Sequence, residues 1–402
     1  MLNKQIGAIS LIAGTAIGVG MLALPMVLAG LGLIPSVLLM LGLWALVYYT
    51  VLMSVELNLQ AGKGMAIGAL GERFSGPIAK WIGTLSLKLL SYTLLAVYIH
   101  GSSSIIQKLL AHTIGQEYAF QSIAMLYAFF IAFILLWPIK WLDYINRLLF
   151  LGLLAVIAAL IVNLGFATSW QHLPLFPPTV SDFSVWHAAI PVILTSFGFQ
   201  TISHTVVNYC NRDKQTLKRA FFWGSLIPII VYVIWICTAL TALNYHNPEF
   251  YQQLIAGNAE IGDVIRELSR TSHWHIIQLL WWWISILAIV TSVIGVGLGL
   301  VDALKEQLNS VSNSDSIRKF IAVIITVLPP YLVALIVPNA FLLLLKFAGM
   351  ILVVIAILLP IYLLHQAKIK NFFYLELRHR GLWLIASVIG AGIVFCELLN
   401  IF

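Results

Sequence analysis

Residues 6–32 read IGAISLIAGTAIGVGMLALPMVLAGLG, without a single charged side chain. Crossing roughly 30 Å of hydrocarbon takes about 20 such residues, so the stretch is long enough to span a membrane. Its interior is poor helix material. Gly14, Gly18 and Gly20 crowd around Thr15, Ala16 and Ile17, and Pro25 follows. Each glycine costs about 1 kcal/mol against alanine inside a helix. Such glycines either form a notch where a neighbouring helix packs closely or mark a break. A break leaves backbone N–H and C=O groups unpaired, which hydrocarbon tolerates only beside a cavity or a bound molecule. Residues 186–209, WHAAIPVILTSFGFQTISHTVVNY, repeat the pattern, with Pro191 and then Thr195-Ser196-Phe197-Gly198 in mid-run.

The rest of the chain belongs with these two stretches. Of its 402 residues 61% are hydrophobic and only 9% charged, against about 45–50% and 25% in an ordinary soluble domain. A soluble enzyme, a nucleic-acid binder and a disordered chain are excluded. Eleven apolar runs, near 6–30, 33–59, 77–106, 122–138, 146–167, 186–209, 220–244, 274–303, 319–337, 339–364 and 381–400, predict an all-α polytopic membrane protein. No ten-residue segments alternate as barrel strands do. The first run exceeds a signal peptide in length and is broken by glycine, which argues against cleavage. Cys210, Cys237 and Cys396 are too few and too scattered for a disulfide framework or a metal site.

Lysine and arginine set the orientation. With the N-terminus inside, Lys4, Lys63, Arg73, Lys80, Lys140, Arg147, Arg212, Lys214, Lys218, Arg219, Lys305, Arg318, Lys319, Lys368, Lys370, Arg378 and Arg380 all face the cytoplasm. Lys108, Arg266 and Arg270 remain outside, while Lys88 and Lys346 lie within runs. The net charge of +7 therefore follows topology and implies no nucleic-acid partner. Outside, residues 168–185 are proline-rich and read as an extended cover. NAEIGDVIREL (258–268) reads as a short amphipathic helix, either a lid or a passive loop. Trp170, Trp186, Trp274, Trp281, Trp282 and Trp283 fall at outer ends of runs, where indole rings anchor a protein in the interface.

Counted as two sets of five, 6–167 and 186–364, the two broken runs become the first of each set, and 381–400 is one extra helix. Five is odd, so the second set is inverted relative to the first. Broken runs at matching positions of inverted repeats point to the binding site of a secondary transporter. Half-helix N-termini offer N–H groups and a positive dipole end to a carboxylate. Free carbonyls on the opposing ends suit an ammonium or another cation. An amino-acid zwitterion matches that pair.

The runs GTAIGVGMLALP (14–25), AIPVILTSFGFQ (189–200) and TSVIGVGLGLVD (291–302) resemble the hydroxy and aromatic amino acid permeases, tyrosine-specific type. That family sits in the amino acid–polyamine–organocation superfamily, whose members have the leucine-transporter fold. The resemblance covers the whole chain as a single transporter domain, 1–402. It implies proton-driven uptake of aromatic amino acids, tyrosine first, across a bacterial inner membrane, with the C-terminus periplasmic. Sodium coupling, a preference for tryptophan, and a non-transporting amino acid sensor are the alternatives. No HExxH, GxSxG, Walker loop or Cys/His cluster marks an enzyme, and no cofactor, metal or obligate protein partner is implied beyond substrate, coupling ion and lipid bilayer.

On this reading the backbone from Gly14 through Ile17 and Gly18 to Gly20 receives the carboxylate, with the Thr15 hydroxyl added. Thr195, Ser196, Phe197 and Gly198 form the opposite wall. Phe197 or Phe199 stacks on the substrate ring, or else faces lipid; Gln200 meets a phenolic hydroxyl. In the third run Tyr92 and its neighbours Ser91, Thr93 and Tyr98 either reach the substrate or bond between helices. Thr291 and Ser292 are candidates for a cation site, or else bond back to their own helix. No carboxylate marks the mid-membrane, so Lys88, Lys346 and His204 are left as candidates for carrying the coupling proton; the lysines alternatively snorkel to the interface.

Overall fold

The computed structural model describes residues 2–116, 118–167, 170–176, 183–271, 275–308, 314–337 and 340–401. In chain order its helices are α1 (Leu2–Ala16), α2 (Val19–Leu28), α3 (Leu33–Ala61), α4 (Ile67–Phe74), α5 (Pro77–Ile114), α6 (Phe120–Leu135), α7 (Ile139–Ala167), α8 (Phe183–Ser196) and α9 (Ser203–Tyr209). Then come α10 (Lys214–His246), α11 (Pro248–Ile255), α12 (Ile261–Arg270), α13 (His275–Gln307), α14 (Asp315–Ile336), α15 (Ala340–Val353), α16 (Leu359–Gln366) and α17 (Arg380–Ile401). A 3-10 turn, Gly198–Ile202, joins α8 to α9, and a π turn, Val354–Leu358, joins α15 to α16. There is no strand among the described residues.

The sequence supplies the terminators. Gly62 ends α3 at φ 76° with its N–H on the Leu59 carbonyl at 3.1 Å. Such a left-handed cap suits glycine, which has no Cβ to clash. Pro77 opens α5, where its fixed φ and missing N–H cost nothing. Asp213 caps α10 by accepting from the Thr216 N–H at 3.0 Å. Asn247 does the same for α11, from Phe250 at 3.0 Å.

Among the described residues eight helical segments are long and apolar enough to cross a membrane: α3, α5, α8–α9, α10, α13, α14, α15–α16 and α17. The pair α1 and α2 makes a ninth, bent by 50°. The fourth and fifth expected runs are occupied by α6 and by the Leu151–Asn163 part of α7, both shorter than the rest.

Side-chain ties define two faces. On one, the basic face, the N-terminal end of α1, the 62–76 connection, α9 and the 367–379 connection come together. Asn208 bonds Gly64, and the buried Glu56 carboxylate accepts the N–H groups of Phe373 and Tyr374 at 3.1 and 3.2 Å. On the opposite, lid face, the Leu33 and Ile34 N–H groups bond the carbonyls of Pro174 and Leu175. There α11 and α12 lie over the ends of α2, α5, α10 and α13.

The packing partners follow a regular scheme. α5 packs on α15, α14 and α6, while α13 packs on α7, α6 and α14. α1 lies along α10, and α3 along α8 and α9. Each of these pairs has its counterpart five apolar runs further along the chain. The contact of α15 with α8 has no equally extensive match between α7 and α1.

Two expectations need correction. Trp281 and Trp282 are buried in the helix core, Trp281 with its ring centroid 5.4 Å from that of Trp235. They are packing residues, not interface anchors; Trp283 and Trp170 are exposed as expected, and Trp274 lies outside the described residues. The 168–185 segment is described only in part, and there it runs through a 3-10 turn (Trp170–His172) before pairing with the start of α3.

Candidate substrate-binding site

The two broken runs meet. α1 stops at Ala16, Ile17 and Gly18 form the bend, and α2 restarts at Val19. The first N–H groups of a helix have no acceptor within it. At the start of α2 the Met21 N–H bonds back to the Gly18 carbonyl at 3.1 Å, and those of Val19 and Gly20 have no backbone partner among the described residues. The second run is interrupted more gently, by a turn at Phe197 and the 3-10 segment that follows, so it stays one bent rod.

The tie between the breaks comes from α10. The Tyr232 hydroxyl, fully buried, lies 2.6 Å from the Ala16 carbonyl and 2.9 Å from that of Ser196. These are the last residues of α1 and α8, whose carbonyls lack helical partners. One hydroxyl proton serves the two acceptors in turn. About one helical turn away, Trp235 Nε1 donates to the Met21 carbonyl at 3.0 Å. Sequence reasoning missed both residues, although a tyrosine inside an apolar run needs a partner for its hydroxyl, and that signal was open to it.

The glycines divide into two kinds. A Cβ on Gly20 would come within 2.7 Å of Ser196 Cα, and one on Gly18 within 2.8 Å of Ser292 Oγ. Both are therefore close-packing positions as well as break positions. A Cβ on Gly198 would meet nothing within 4 Å. The space beside Gly198 is open.

The other expected residues fall around this centre unequally. Gly14 lies in α1 about one turn before the bend. Thr15 is exposed, its hydroxyl donating to Leu11 at 2.8 Å, so it is not among the groups gathered at the break. Ile17 is buried. Thr195 bonds the carbonyls of Pro191 at 2.9 Å and Leu345 at 3.1 Å, tying α8 to α15. Phe197 and Phe199 are both fully buried within the helices, against Tyr232 and Phe221 respectively. The Gln200 amide nitrogen is committed to α3, donating to the Val47 carbonyl at 2.8 Å and the Thr50 hydroxyl at 2.9 Å, while Oε1 is buried and without a partner among the described residues.

Tyr92 is half-buried, and its neighbours Ser91 and Thr93 bond back to Leu87 and Leu89. Tyr98 is the α5 tyrosine that turns toward Ser292, and thus toward Gly18. Thr291 and Ser292 donate to the carbonyls of Leu287 and Ala288, so the back-bonded arrangement holds. The Ser292 oxygen lies at the bend, 2.8 Å from where a Gly18 Cβ would stand.

From the second break a narrow cleft, with about 20 Å³ wide enough for a water molecule, leads toward the basic face. Gln200, Thr201, Ser203 and His204 line one side, Ser54 and Leu87 the other, and the π turn closes it at Ile355 and Ala356. π turns recur at functional positions in helices. Lys88 sits half-buried on the basic-face half of α5, next to Leu87 of that cleft. Lys346 does not line it; it is half-buried on α15, next to the Leu345 that Thr195 bonds, and its charge acts on the buried Glu397 carboxylate of α17.

Comparison with known proteins decides what this architecture belongs to. Residues 1–396 match the family described as the tryptophan/tyrosine permease family. The chain belongs to that family. It is 30% identical to the tyrosine-specific transport system 1 of Haemophilus influenzae, over 91% of this chain and 89% of that protein. It is 28% identical to a tryptophan-specific transport protein of Pseudomonas aeruginosa, over 91% and 87%. A glutamine transporter 2 of Aliivibrio fischeri is 26% identical over 92% and 90%. This tryptophan/tyrosine permease relative is thus a multi-pass membrane protein from a family of transport proteins.

Proposed function

We propose that the chain is a secondary active transporter that imports aromatic amino acids, L-tyrosine first, by proton symport with alternating access. It has eleven crossings, arranged as two inverted five-helix repeats with α17 added, in the manner of the leucine-transporter fold and its superfamily. The membrane is the bacterial inner membrane, with the basic face cytoplasmic and the C-terminus periplasmic. One observation carries the reading: the ends of α1 and α8 are held together by one buried hydroxyl, Tyr232, at the level of two interrupted helices. The packing scheme that repeats five runs along supports the inverted repeat.

Each residue then has a task. The free N–H groups at the start of α2 bind the substrate carboxylate, helped by the positive end of that half-helix. Carbonyls near Thr195–Gly198 face the ammonium across the open space beside Gly198. Phe197 and Phe199 form the apolar wall for the ring, and Gln200 Oε1 accepts from the phenol. A relative named for glutamine fits a division of labour in which backbone holds the zwitterion and side chains choose the rest.

The test uses purified protein in liposomes with labelled tyrosine. An inward proton gradient drives accumulation above the external concentration, and an ionophore that collapses the gradient abolishes it. Competition by tryptophan, phenylalanine and leucine ranks the substrates. Ser292 beside Gly18 favours sodium as the second reading; uptake that needs sodium and ignores the ionophore decides for it.

A further inference from the structure

His100 is a titratable residue that the scheme above leaves idle. It lies on α5 toward the lid face, about a half-turn beyond Tyr98, and is only 5% exposed. Its Nδ1 is buried with no hydrogen-bond partner among the described residues. An imidazole in an apolar setting without a fixed partner is poorly explained as a packing residue, because burying an unpaired polar atom is costly.

What lies above it is a carboxylate. Glu260 precedes α12, and its Oε2 accepts the hydroxyl of Ser104 at 2.9 Å. Ser104 is one helical turn beyond His100, on the same face, so Glu260 is held over the imidazole and its charge acts on it. The Glu260 backbone N–H is in turn bonded by Asp263 at 3.4 Å. Two turns out, Lys108 pairs with Asp263 at 3.1 Å, and Arg266 joins the same carboxylate at 3.3 Å. On the other side α6 brings the Phe120 ring, with centroids 5.0 Å apart, and the Tyr127 hydroxyl toward Ser102. α13 and α14 carry no charged residue at this level. On α15 the charge of Lys346 acts on Glu397, and the charges of α4 belong to the basic face.

We propose that His100 is the residue that binds the coupling proton on the lid side, with Glu260 as its counter-charge, so that arrival of the proton and seating of α12 over the site are one event. This rests on the proton-symport reading. A proton from outside adds to the imidazole, and the cation holds the Glu260 carboxylate that begins α12. α12 seats its apolar face, Ile261, Val264, Ile265 and Leu268, on α5 and α13. Loss of the proton removes the attraction and frees the lid. His100 acts through the lid and not on the substrate, which makes it a positioning residue.

The experiment compares wild type, His100→Gln and Glu260→Gln in proteoliposomes. Two rates are read: accumulation driven by an imposed proton gradient, and gradient-free exchange of internal for external tyrosine. External pH runs from about 5 to about 8, the interval in which imidazole changes charge. In His100→Gln the side-chain amide N–H bonds the Glu260 carboxylate at any pH, so the lid still seats and exchange stays near wild type. Accumulation falls about tenfold or more, a size usual for lost coupling between two sites, and its dependence on external pH flattens. Glu260→Gln keeps a pH dependence but needs more acid to reach half-maximal uptake. Accumulation with an unchanged pH profile in His100→Gln overturns the proposal. So does a parallel fall of exchange and accumulation, which is what a merely structural residue gives. Should His100→Gln fail to fold, an unchanged pH midpoint in Glu260→Gln overturns it. Wild type that ignores the proton gradient defeats the symport reading itself, a result distinct from all of these.

Discussion

At Gly20 and Gly198 the same residue type does opposite work, and one added methyl group tells them apart. Gly20 is packed against Ser196 Cα, so Gly20→Ala forces the two broken helices apart. Overpacking of this kind costs about 1–3 kcal/mol, and it should appear as a lower melting temperature in detergent together with lost tyrosine binding. Gly198→Ala meets no protein atom. Its stability should match wild type to within about 0.5 kcal/mol, while tyrosine affinity drops about tenfold, or roughly 1.4 kcal/mol, because the proposed site puts the substrate in that space. Unchanged affinity in Gly198→Ala would show that the open space beside it is not the site. Sequence alone could not separate the two, since a packing notch and a ligand-facing break both ask for a missing side chain. Only the neighbour across the gap decides, and that neighbour is far along the chain.

Among elements, the legible ones are those whose reason lies within their own residues. α12 follows from the recurrence of Ile261, Val264, Ile265 and Leu268 on one face, and α3 from an apolar run closed by Gly62. The bend between α1 and α2 follows from glycine. The continuous course of α8 through its break does not, because proline and glycine mark where a helix weakens and not whether a 3-10 turn bridges the gap. Trp281 illustrates the same limit, as an indole serves the interface and the core equally well. His100 gained meaning only when folding laid Glu260 over it. Elements also tie at the basic face, where Lys218 of α10 hydrogen-bonds Glu376 in the connection to α17 and holds its carboxyl below the usual carboxylate range. A depressed folded value means stabilisation that is complete above the unfolded carboxylate value of about 4.3 and is lost as pH falls through the lower one. Both side chains are half-exposed, so the pair contributes no more than about 1 kcal/mol. Lys218→Ala should accordingly melt slightly below wild type at neutral pH, with the gap closing in acid; a gap independent of pH would assign it to lost packing.

For the whole molecule the informative asymmetry is that access differs between the two faces. The lid face is closed by α11, α12 and the 173–175 segment, knitted by Asn247, Glu267, Arg266 and Arg270, whereas the second break has a cleft to the basic face through Thr201 and His204. In an alternating-access transporter such a shape is one of two states, and substrate shifts their balance only through a difference in affinity between them. A reporter cysteine reads that balance. In a background with Cys210, Cys237 and Cys396 replaced, Thr201→Cys is placed on the cleft wall and Ser104→Cys under the lid. A membrane-impermeant maleimide should label Thr201→Cys in inside-out vesicles and leave Ser104→Cys unmodified in right-side-out ones. Saturating tyrosine should slow Thr201→Cys labelling several-fold, either by filling the cleft or by closing it. Adding tyrosine outside at alkaline pH, where an unprotonated His100 leaves the lid free, separates these causes, because closure of the inner cleft with opening of the lid exposes Ser104→Cys while simple occupancy does not. Labelling of Thr201→Cys from the outer side instead would reverse the assigned orientation, and labelling at both sites at once would contradict alternating access, since it requires a path open through the membrane from face to face.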